Sequence, residues 1–321
     1  MSLRVAVLCG GVGGAKLAHG LQLGLEPGRL TAIVNTADDL ELHGLHISPD
    51  LDTVMYTLAG RANRATGWGV RDETWSAADM LARYGQPTWF GLGDRDLATH
   101  VVRTSRLREG QRLTEVTTAL AAGLGIRTLL LPMSDDRVRT RVRTDVGWLD
   151  FQTYFVERGH VDDVRELRFE GLEAAGPTPE VLAAVEEAEV IVLAPSNPFV
   201  SLGPILGLPG LAEAVRGARA PVVGVSPIIG GSAVRGPADR MFVTLGGEAS
   251  ALGVARHYAE QFPGLVDGWL IDTVDGAQAP AIEALDLRVR ATGTLMASDD
   301  DRRRVAAEVL TLATAPAPAA R

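Results

Sequence analysis

The sequence is poor in cysteine and lacks long apolar segments. Its 321 residues include one cysteine, Cys9, which excludes an internal disulfide and a zinc site built from cysteines. No segment approaches the roughly 18 to 20 uninterrupted apolar residues that a membrane-spanning helix needs. The first residues also lack the apolar region and cleavage site of a secretory signal. We therefore expect a cytoplasmic protein without a membrane partner.

Positive charge is scarce as well. Lys16 is the only lysine, arginine supplies almost all the other positive charge, and the formal net charge is −9. This balance argues against nucleic acid as the main partner. Arginine nevertheless suits phosphate, because its planar guanidinium donates two parallel hydrogen bonds. Hydrophobic residues make up 46% of the chain, which indicates an ordinary globular core.

Short apolar segments alternate with helical patterns along most of the chain. A helical pattern over 15–25 follows the first apolar segment, and Asp50 is a predicted N-cap of another helix. Strands that are apolar throughout and separated by helices predict an α/β fold with a parallel sheet covered on both faces. The predicted strands lie at 3–9, 30–35, 126–132, 190–195 and 221–226.

Two segments depart from this rhythm. Residues 138–170 alternate polar with apolar or aromatic residues, which predicts a small β-rich insertion. The core would then comprise residues 1–137 and 171–312. The end of the chain, 313–321, is rich in alanine and proline and is predicted to be disordered.

A glycine-rich segment joins the first predicted strand to the first helix. It contains Gly10, Gly11, Gly13 and Gly14. Glycines let a backbone approach a ligand closely, and the N–H groups at a helix start attract phosphate. A tight strand-to-helix turn without a ligand is the alternative. We favour phosphate binding because of the location, although the glycine spacing is not that of the standard dinucleotide fingerprint.

Carboxylates cluster after the second predicted strand. Asp38 and Asp39 follow Asn35, and Asp50 and Asp52 come a few residues later. These oxygens are the ligands that Mg²⁺ prefers. Helix capping and solvation would be the alternative. Because adjacent side chains point to opposite sides of an extended strand, only one of Asp38 and Asp39 is expected to face a cleft.

Polar residues also follow other predicted strands, where open α/β sheets bind ligands. Ordinary turns and helix caps would explain each of them separately. The histidines show no metal-binding pair of histidines on a helix, and no known nucleophile motif occurs. The polar residues concerned are Asp94, Arg95, Ser134, Ser196, Asn197, Ser226 and Pro227.

The ordered series of these motifs resembles one family. The segments CGGVGGAKL, VNTADDLELHGLHISPDLDTVMYTLAG, GLGDRDLATH, LPMSDD, APSNPFVSLGPIL and VSPIIGG are similar to those of the 2-phospho-L-lactate transferase family of coenzyme F420 biosynthesis. The resemblance extends over roughly residues 3 to 300 and is far more specific than any single motif.

This resemblance implies a Mg²⁺-dependent transfer by a Rossmann-like homodimer. A lactyl- or enolpyruvyl-diphosphoguanosine would donate its phospho-acid group to the deazaflavin alcohol Fo, giving F420-0 or its dehydro form and GMP. Such a transfer needs positioning and charge neutralisation more than a protein nucleophile.

The resemblance also assigns residues. The metal and acceptor region would comprise Asp38, Asp39, Asp50 and Asp52, with Asp52 the main catalytic residue and Asp39 beside it. Arg95 would clamp phosphate next to Asp94. Phosphate would be cradled by Gly10, Gly11, Gly13 and Gly14. The guanosine donor would be bound by Ser196, Asn197 and the loop at Ser226 and Pro227, and Ser134 is a further ligand-binding assignment.

Two other function classes fit parts of the pattern. Related α/β proteins are regulators that bind a nucleotide sugar without evident catalysis. A nicotinamide dehydrogenase would also place an acidic residue after its second strand, but the doubled Asp38-Asp39 and the glycine spacing count against it.

Overall fold

The computed structural model describes residues 1–315. The last helix extends to Thr314, so the prediction of disorder from residue 313 is wrong at its first two positions. Residues 316–321 of that predicted tail lie outside the described residues. None of the helices in residues 1–315 combines the length and apolar composition that crossing a membrane requires.

Strands and helices alternate through the described part of the chain. The strands are β1 (Val5–Cys9), β2 (Leu30–Val34), β3 (Leu40–Leu42), β4 (Leu45–Ile47), β5 (Leu129–Pro132), β6 (Arg139–Thr144), β7 (Gly147–Asp150), β8 (Glu166–Glu170), β9 (Val190–Leu193), β10 (Val222–Val225), β11 (Ile228–Ile229), β12 (Ser232–Ala233), β13 (Gly268–Ile271) and β14 (Arg288–Ala291). The helices are α1 (Gly11–Gly24), α2 (Pro49–Leu58), α3 (Ser76–Arg83), α4 (Asp94–Arg108), α5 (Leu113–Gly123), α6 (Pro179–Glu187), α7 (Leu202–Leu206), α8 (Leu211–Gly217), α9 (Ala238–Thr244), α10 (Ala251–Gln261), α11 (Ala279–Glu283) and α12 (Asp299–Thr314).

The centre of the molecule is a parallel sheet of seven strands in the order β14-β13-β10-β9-β1-β2-β5. Successive side chains of β1 enter different cores, since Ala6 and Leu8 pack on one face and Val5, Val7 and Cys9 on the other. Both faces are therefore covered by helices, which is why the inner strands of the sheet carry almost no polar residues. The predicted α/β class with a Rossmann-like three-layer core is confirmed.

Some elements differ from the sequence prediction. The strands β13 and β14 were not predicted; β14, at one edge of the sheet, has the polar sequence RVRA and is half-exposed. The helix α2 begins at Pro49, and the Asp50 side chain does not cap it. Asp50 instead turns towards the start of α1, so the N-cap prediction for Asp50 is wrong.

The segment predicted as a β-rich insertion contains a small antiparallel sheet with the order β7-β6-β8. A π-helical turn at Thr153–Glu157 lies between β7 and β8. Phe151 and Tyr154 form a local core with Val142 of β6. That part of the fold prediction is met, and the lobe's bounds at 138–170 remain a prediction.

We predict that the contact between α1 and α12 does not tolerate a methyl group at Gly20. A Cβ there would lie 2.2 Å from the Arg302 carbonyl oxygen, so the backbones must separate. Gly20→Ala should cost about 1–3 kcal/mol in the free energy of unfolding, measured by urea denaturation. Gly24→Ala in the same helix is the control, because a Cβ there meets nothing within 4 Å. Equal effects of the two variants would show that the contact is not tight.

Candidate active site

The carboxyl ends of the central strands meet at one cavity. Gly10, Asn35, Ser196 and Ser226 follow β1, β2, β9 and β10, and the cavity beside them has a volume of about 420 Å³. Open α/β sheets bind ligands at this edge, where the strand order reverses. The cavity is lined by residues that include Gly10, Gly11, Val12, Gly13, Lys16, Asp38, Asp50, Asp52, Tyr56, Trp68, Phe90, Asp96, His100, Phe151, Phe155, Ser196, Asn197, Ser226, Pro227, Arg235 and Met296.

The glycine-rich turn is packed too closely for side chains. A Cβ on Gly10 would lie 2.4 Å from Asp50 Oδ2, and one on Gly13 would lie 2.3 Å from the Pro195 carbonyl oxygen. Gly11 has φ +61°, a left-handed conformation that favours glycine. The cavity therefore reaches the backbone at the start of α1, as the predicted phosphate site requires.

Ser196, which follows β9, forms two hydrogen bonds with the same glycine turn. Its Oγ accepts from Gly10 N at 3.0 Å and donates to Gly10 O at 2.8 Å. Gly14 packs behind this contact, since a Cβ there would lie 2.5 Å from Ser196 Oγ. Gly14 does not line the cavity, so its part in the predicted ligand loop is to admit Ser196.

Asn35 joins two carboxylates at the floor of the cavity. Its Nδ2 donates to Asp38 Oδ2 and to Asp50 Oδ2, both at 3.0 Å. Asp50 Oδ1 also accepts from Gly11 N at 2.8 Å. These bonds bring the carboxylates that follow β2 and start α2 to the glycine turn. Sequence spacing alone could not show this, because 12 positions separate Asp38 from Asp50.

Both carboxylates are held in an environment that disfavours their charge. Desolvation and the charge of Asp50 raise the pKa of Asp38 well above its usual range. Desolvation also raises the pKa of Asp50 to about 6, against the opposing effect of the hydrogen bonds from Asn35 and Gly11. Asp38 Oδ1 is buried and has no hydrogen-bond partner in residues 1–315. A bound cation would relieve both conditions.

Asp39, predicted to bind the metal and take part in catalysis, is turned away from the cavity. Its Oδ2 accepts from Ser48 Oγ at 2.7 Å and lies 2.9 Å from His46 Nε2. Asp38 and Asp39 thus point to opposite sides, as predicted for adjacent residues at a strand end. In this arrangement Asp39 holds the hairpin of β3 and β4 and does not line the cavity, although its charge also raises the pKa of Asp38 and of Asp50.

Asp52 lines the cavity but is already paired. Its Oδ2 accepts from Arg103 Nη1 at 3.0 Å, and Arg103 Nη2 donates to its other oxygen. The two side chains are 7% and 1% exposed. The guanidinium neutralises this carboxylate in the structure, and the predicted roles of Asp52 as metal ligand and main catalytic residue stay predictions.

A polar network extends from this pair. His100 Nδ1 lies 3.3 Å from Arg103 Nη1, and His100 Nε2 lies 3.3 Å from Asp96 Oδ1. The Tyr56 hydroxyl donates a hydrogen bond to Asp96 Oδ1 at 2.7 Å. Ligand atoms of Asp52, Asp96 and His100 lie within 4.8 Å of one another, but the adjacent Arg103 charge opposes a cation there.

Asp94 and Arg95 lie outside the cavity lining. Asp94 accepts from Ser76 N at 3.1 Å and Ala77 N at 2.9 Å, so it caps the start of α3. Arg95 donates to the carbonyl oxygens of Arg71, at 2.9 Å, and Asp72. Both side chains therefore fix the loop that precedes α3, and Arg95 is not placed to clamp a phosphate.

The remaining predicted ligand residues also fall into two groups, those that line the cavity and one that lies outside it. Asn197, Ser226 and Pro227 line the cavity. Asn197 Oδ1 accepts from Phe199 N at 2.9 Å, and Ser226 Oγ donates to Ile228 O at 2.9 Å, so both shape their loops. Ser134 is buried outside the cavity, and its Oγ donates to Gly176 O at 2.6 Å.

Sequence reasoning missed several residues of the cavity. Lys16 stands out in the sequence only as the single lysine, and Arg103 lies in no motif. Asp96 and His100 are four residues apart on α4, and this spacing, which places two side chains on one face, is the sequence signal for the pair. The aromatic residues had no local signal because they come from separate loops. They are Trp68, Phe90, Phe151 and Phe155.

Comparison with known proteins places this site in context. A family model described as 2-phospho-L-lactate transferase CofD matches residues 5–310. A protein named phosphoenolpyruvate transferase from Streptomyces griseus is 46% identical over 316 residues, which cover 97% of this chain and 98% of that protein. Another of the same name, from Mycobacterium ulcerans, is 46% identical over 299 residues, covering 87% and 91% of the two chains.

Solved structures share the architecture at much lower identity. A crystal structure of a UPF0052-family protein from Bacillus halodurans aligns with a TM-score of 0.67 and 17% identity, covering 97% of this chain and 99% of that one. At this identity the similarity shows the fold alone.

We predict that Arg103→Met lowers the free energy of unfolding by about 3–5 kcal/mol, since it leaves the buried Asp52 carboxylate without its partner. Arg165→Met is the matched control. Arg165 pairs with Asp145 on the surface, where the side chains are 51% and 75% exposed. Its loss should cost less than about 1 kcal/mol. Urea denaturation of both variants measures the difference, and equal costs would contradict the account of Asp52.

Proposed function

We propose a specific group transfer on the premise that this chain belongs to the 2-phospho-L-lactate transferase CofD family and is a phosphotransferase of coenzyme F420 biosynthesis. The donor would be a guanosine diphosphate that carries a three-carbon acid on its distal phosphate. The acceptor would be the deazaflavin Fo. The name of the relatives at about 46% identity favours enolpyruvate over lactate as the acid.

The proposed reaction exchanges one phosphorus–oxygen bond for another. The terminal ribityl hydroxyl oxygen of Fo bonds to the distal phosphorus, and the bond from that phosphorus to the bridging oxygen breaks. GMP leaves with the bridging oxygen, and the hydroxyl proton is released. Such a reaction requires positioning and neutralisation of phosphate charge more than it requires a protein nucleophile.

One observation carries this proposal: the Asp38–Asp50 pair lies at the glycine turn. The turn offers backbone N–H groups and close approach, which suit a diphosphate. The two carboxylates suit Mg²⁺, which binds through one or two carboxylates and substrate phosphates. The unpartnered Asp38 Oδ1 is the atom that a hard cation would satisfy. When bound there, Mg²⁺ would offset the charge of the diphosphate and its leaving group.

The rest of the cavity accommodates the two organic groups of the substrates. The aromatic side chains of Trp68, Phe90, Phe151 and Phe155 line it, and flat apolar surfaces of this kind suit the deazaflavin ring. We assign the loops at Asn197 and at Ser226-Pro227 to the guanosine. Asp52 stays near the acceptor, where its ion pair with Arg103 would keep the wall of the cavity in place. We expect the enzyme to be a homodimer.

The direct test combines the protein with Fo, Mg²⁺ and each guanosine diphosphate donor, with products followed by mass spectrometry. We predict a Fo–phospho-acid product and GMP, and no product without Mg²⁺. Asp38→Asn should lower the transfer rate by about 100-fold or more, because it removes charge that the metal requires. Asp145→Asn changes an exposed carboxylate and should leave the rate unchanged.

The outcome also distinguishes the alternative function. If no donor gives a product and Fo does not bind, the protein is not this transferase. Stabilisation by nucleotide sugars would then favour the nucleotide-binding regulator.

A stability measurement tests the proposed metal site separately. Asp38→Asn should leave the metal-free protein at least as stable as the wild type, because it removes the repulsion between two desolvated carboxylates.

The raised pKa of Asp50 predicts how the effect of Mg²⁺ depends on pH. Because the pKa of Asp50 is higher in the folded, metal-free protein than in the unfolded chain, protonation of this carboxyl stabilises the fold. That stabilisation is present at low pH and is lost as the pH rises through about 6. Mg²⁺ needs the ionised form. The rise in melting temperature on adding Mg²⁺ should therefore be small near about pH 5 and large near about pH 7.5. Equal rises at both pH values, or a rise that persists in Asp38→Asn, would contradict this site.

A further inference from the structure

The only lysine of the sequence lies in the cavity. Lys16 is on α1, one turn beyond Val12, and both residues line the cavity wall. The Lys16 side chain is half-buried. Burial and the charges of Arg302 and Arg235 lower its pKa, and no carboxylate of residues 1–315 compensates them. An anion bound beside this half-buried ammonium would offset the neighbouring like charges.

Arg235 also lines the cavity, and its guanidinium lies near Gly67 and Val12. Its guanidinium donates to the carbonyl oxygens of Thr66 and of Ala65, the latter at 3.3 Å. These bonds hold the Arg235 side chain against the loop that contains Gly67. That loop packs on α1, where Gly67 lies close to Val12. Lys16 and Arg235 are the only lysine and arginine among the described residues that line the cavity.

Neighbouring charges strengthen the positive character of this corner. Arg302 Nη1 lies 3.4 Å from Asp299 Oδ1 and 3.0 Å from His19 Nδ1. Arg64 Nη2 lies 2.9 Å from the other oxygen of Asp299. Two guanidiniums thus share one carboxylate, so Asp299 does not neutralise Lys16. This concentration of positive charge occurs in a protein whose net charge is −9.

We propose that Lys16 and Arg235 bind the carboxylate of the acid that is transferred, so that they select donors carrying one. The inference rests on the proposed function, which assigns the diphosphate to the glycine turn and the Asp38–Asp50 pair. The carboxylate is then the donor's remaining anion. It is attached close to the distal phosphate, and the positive corner begins one helical turn beyond the glycine turn.

The test measures binding without Fo, so that no transfer occurs. Three probes are titrated calorimetrically in the presence of Mg²⁺: GDP, the enolpyruvyl donor, and its carboxamide analogue, which has the same shape without the charge. The wild type should bind the carboxylate donor about 10- to 100-fold more tightly than the carboxamide. Lys16→Met should lose most of this preference, while its affinity for GDP stays within about 3-fold.

Two further variants complete the test. Arg235→Gln should show the same selective loss, and because Arg235 is exposed, this variant carries the test if Lys16→Met is unstable. Arg256→Met removes an exposed charge on α10 and should bind all three probes like the wild type. A parallel loss of GDP affinity in Lys16→Met and Arg235→Gln would place the two cations on the diphosphate and overturn the inference. So would equal weakening of the carboxylate and carboxamide donors. Failure of the wild type to transfer the group to Fo would contradict the proposed function but not this binding result.

Discussion

The site depends on one amide that holds two carboxylates together. Asn35 follows β2, and its Nδ2 donates to Asp38 and to Asp50, while Gly11 N holds the second oxygen of Asp50. Without these donors, two desolvated carboxylates would repel each other and separate. With them, the carboxylates stay at the glycine turn, where a phosphate can approach the backbone.

In the metal-free protein this arrangement is electrostatically unfavourable, because two desolvated carboxylates lie side by side. The raised pKa values of Asp38 and Asp50 show that their charged forms are disfavoured until a cation or a proton is present. The other charged residues of the cavity are balanced differently. Asp52 has Arg103 as a full partner, whereas Lys16 has no carboxylate partner in residues 1–315. In the proposed account, the Asp38–Asp50 pair at the start of α1 holds a cation, and Lys16 on the same helix holds an anion.

Much of the fold could be predicted from the sequence, because β1, β2, β5, β9 and β10 are almost entirely buried and therefore almost entirely apolar. The edge strand β14 escaped prediction because its exposed side chains are polar. The glycine turn was also found, since it directly follows β1, and the sequence marked Asp38, Asp39, Asp50 and Asp52 as a group without showing which of them meet.

The roles of individual polar residues could not be predicted, because they depend on partners distant in sequence. Asp52 meets Arg103 across 51 positions, and Arg95 meets backbone carbonyls of the loop before α3. Asp39 differs from Asp38 only by the direction in which a strand end points its side chain. These are facts of packing, and neighbouring residues in the sequence carry no signal for them.

The central claim is that Asp38 and Asp50 form the cation site. Its most direct test is a crystal structure of the protein grown with Mn²⁺ and GDP, with the ion located by its anomalous scattering. The account predicts a peak bonded to carboxylate oxygens of Asp38 and Asp50 and to a phosphate oxygen of GDP. A peak at Asp52, Asp96 and His100, with none beside Asp38, would contradict it.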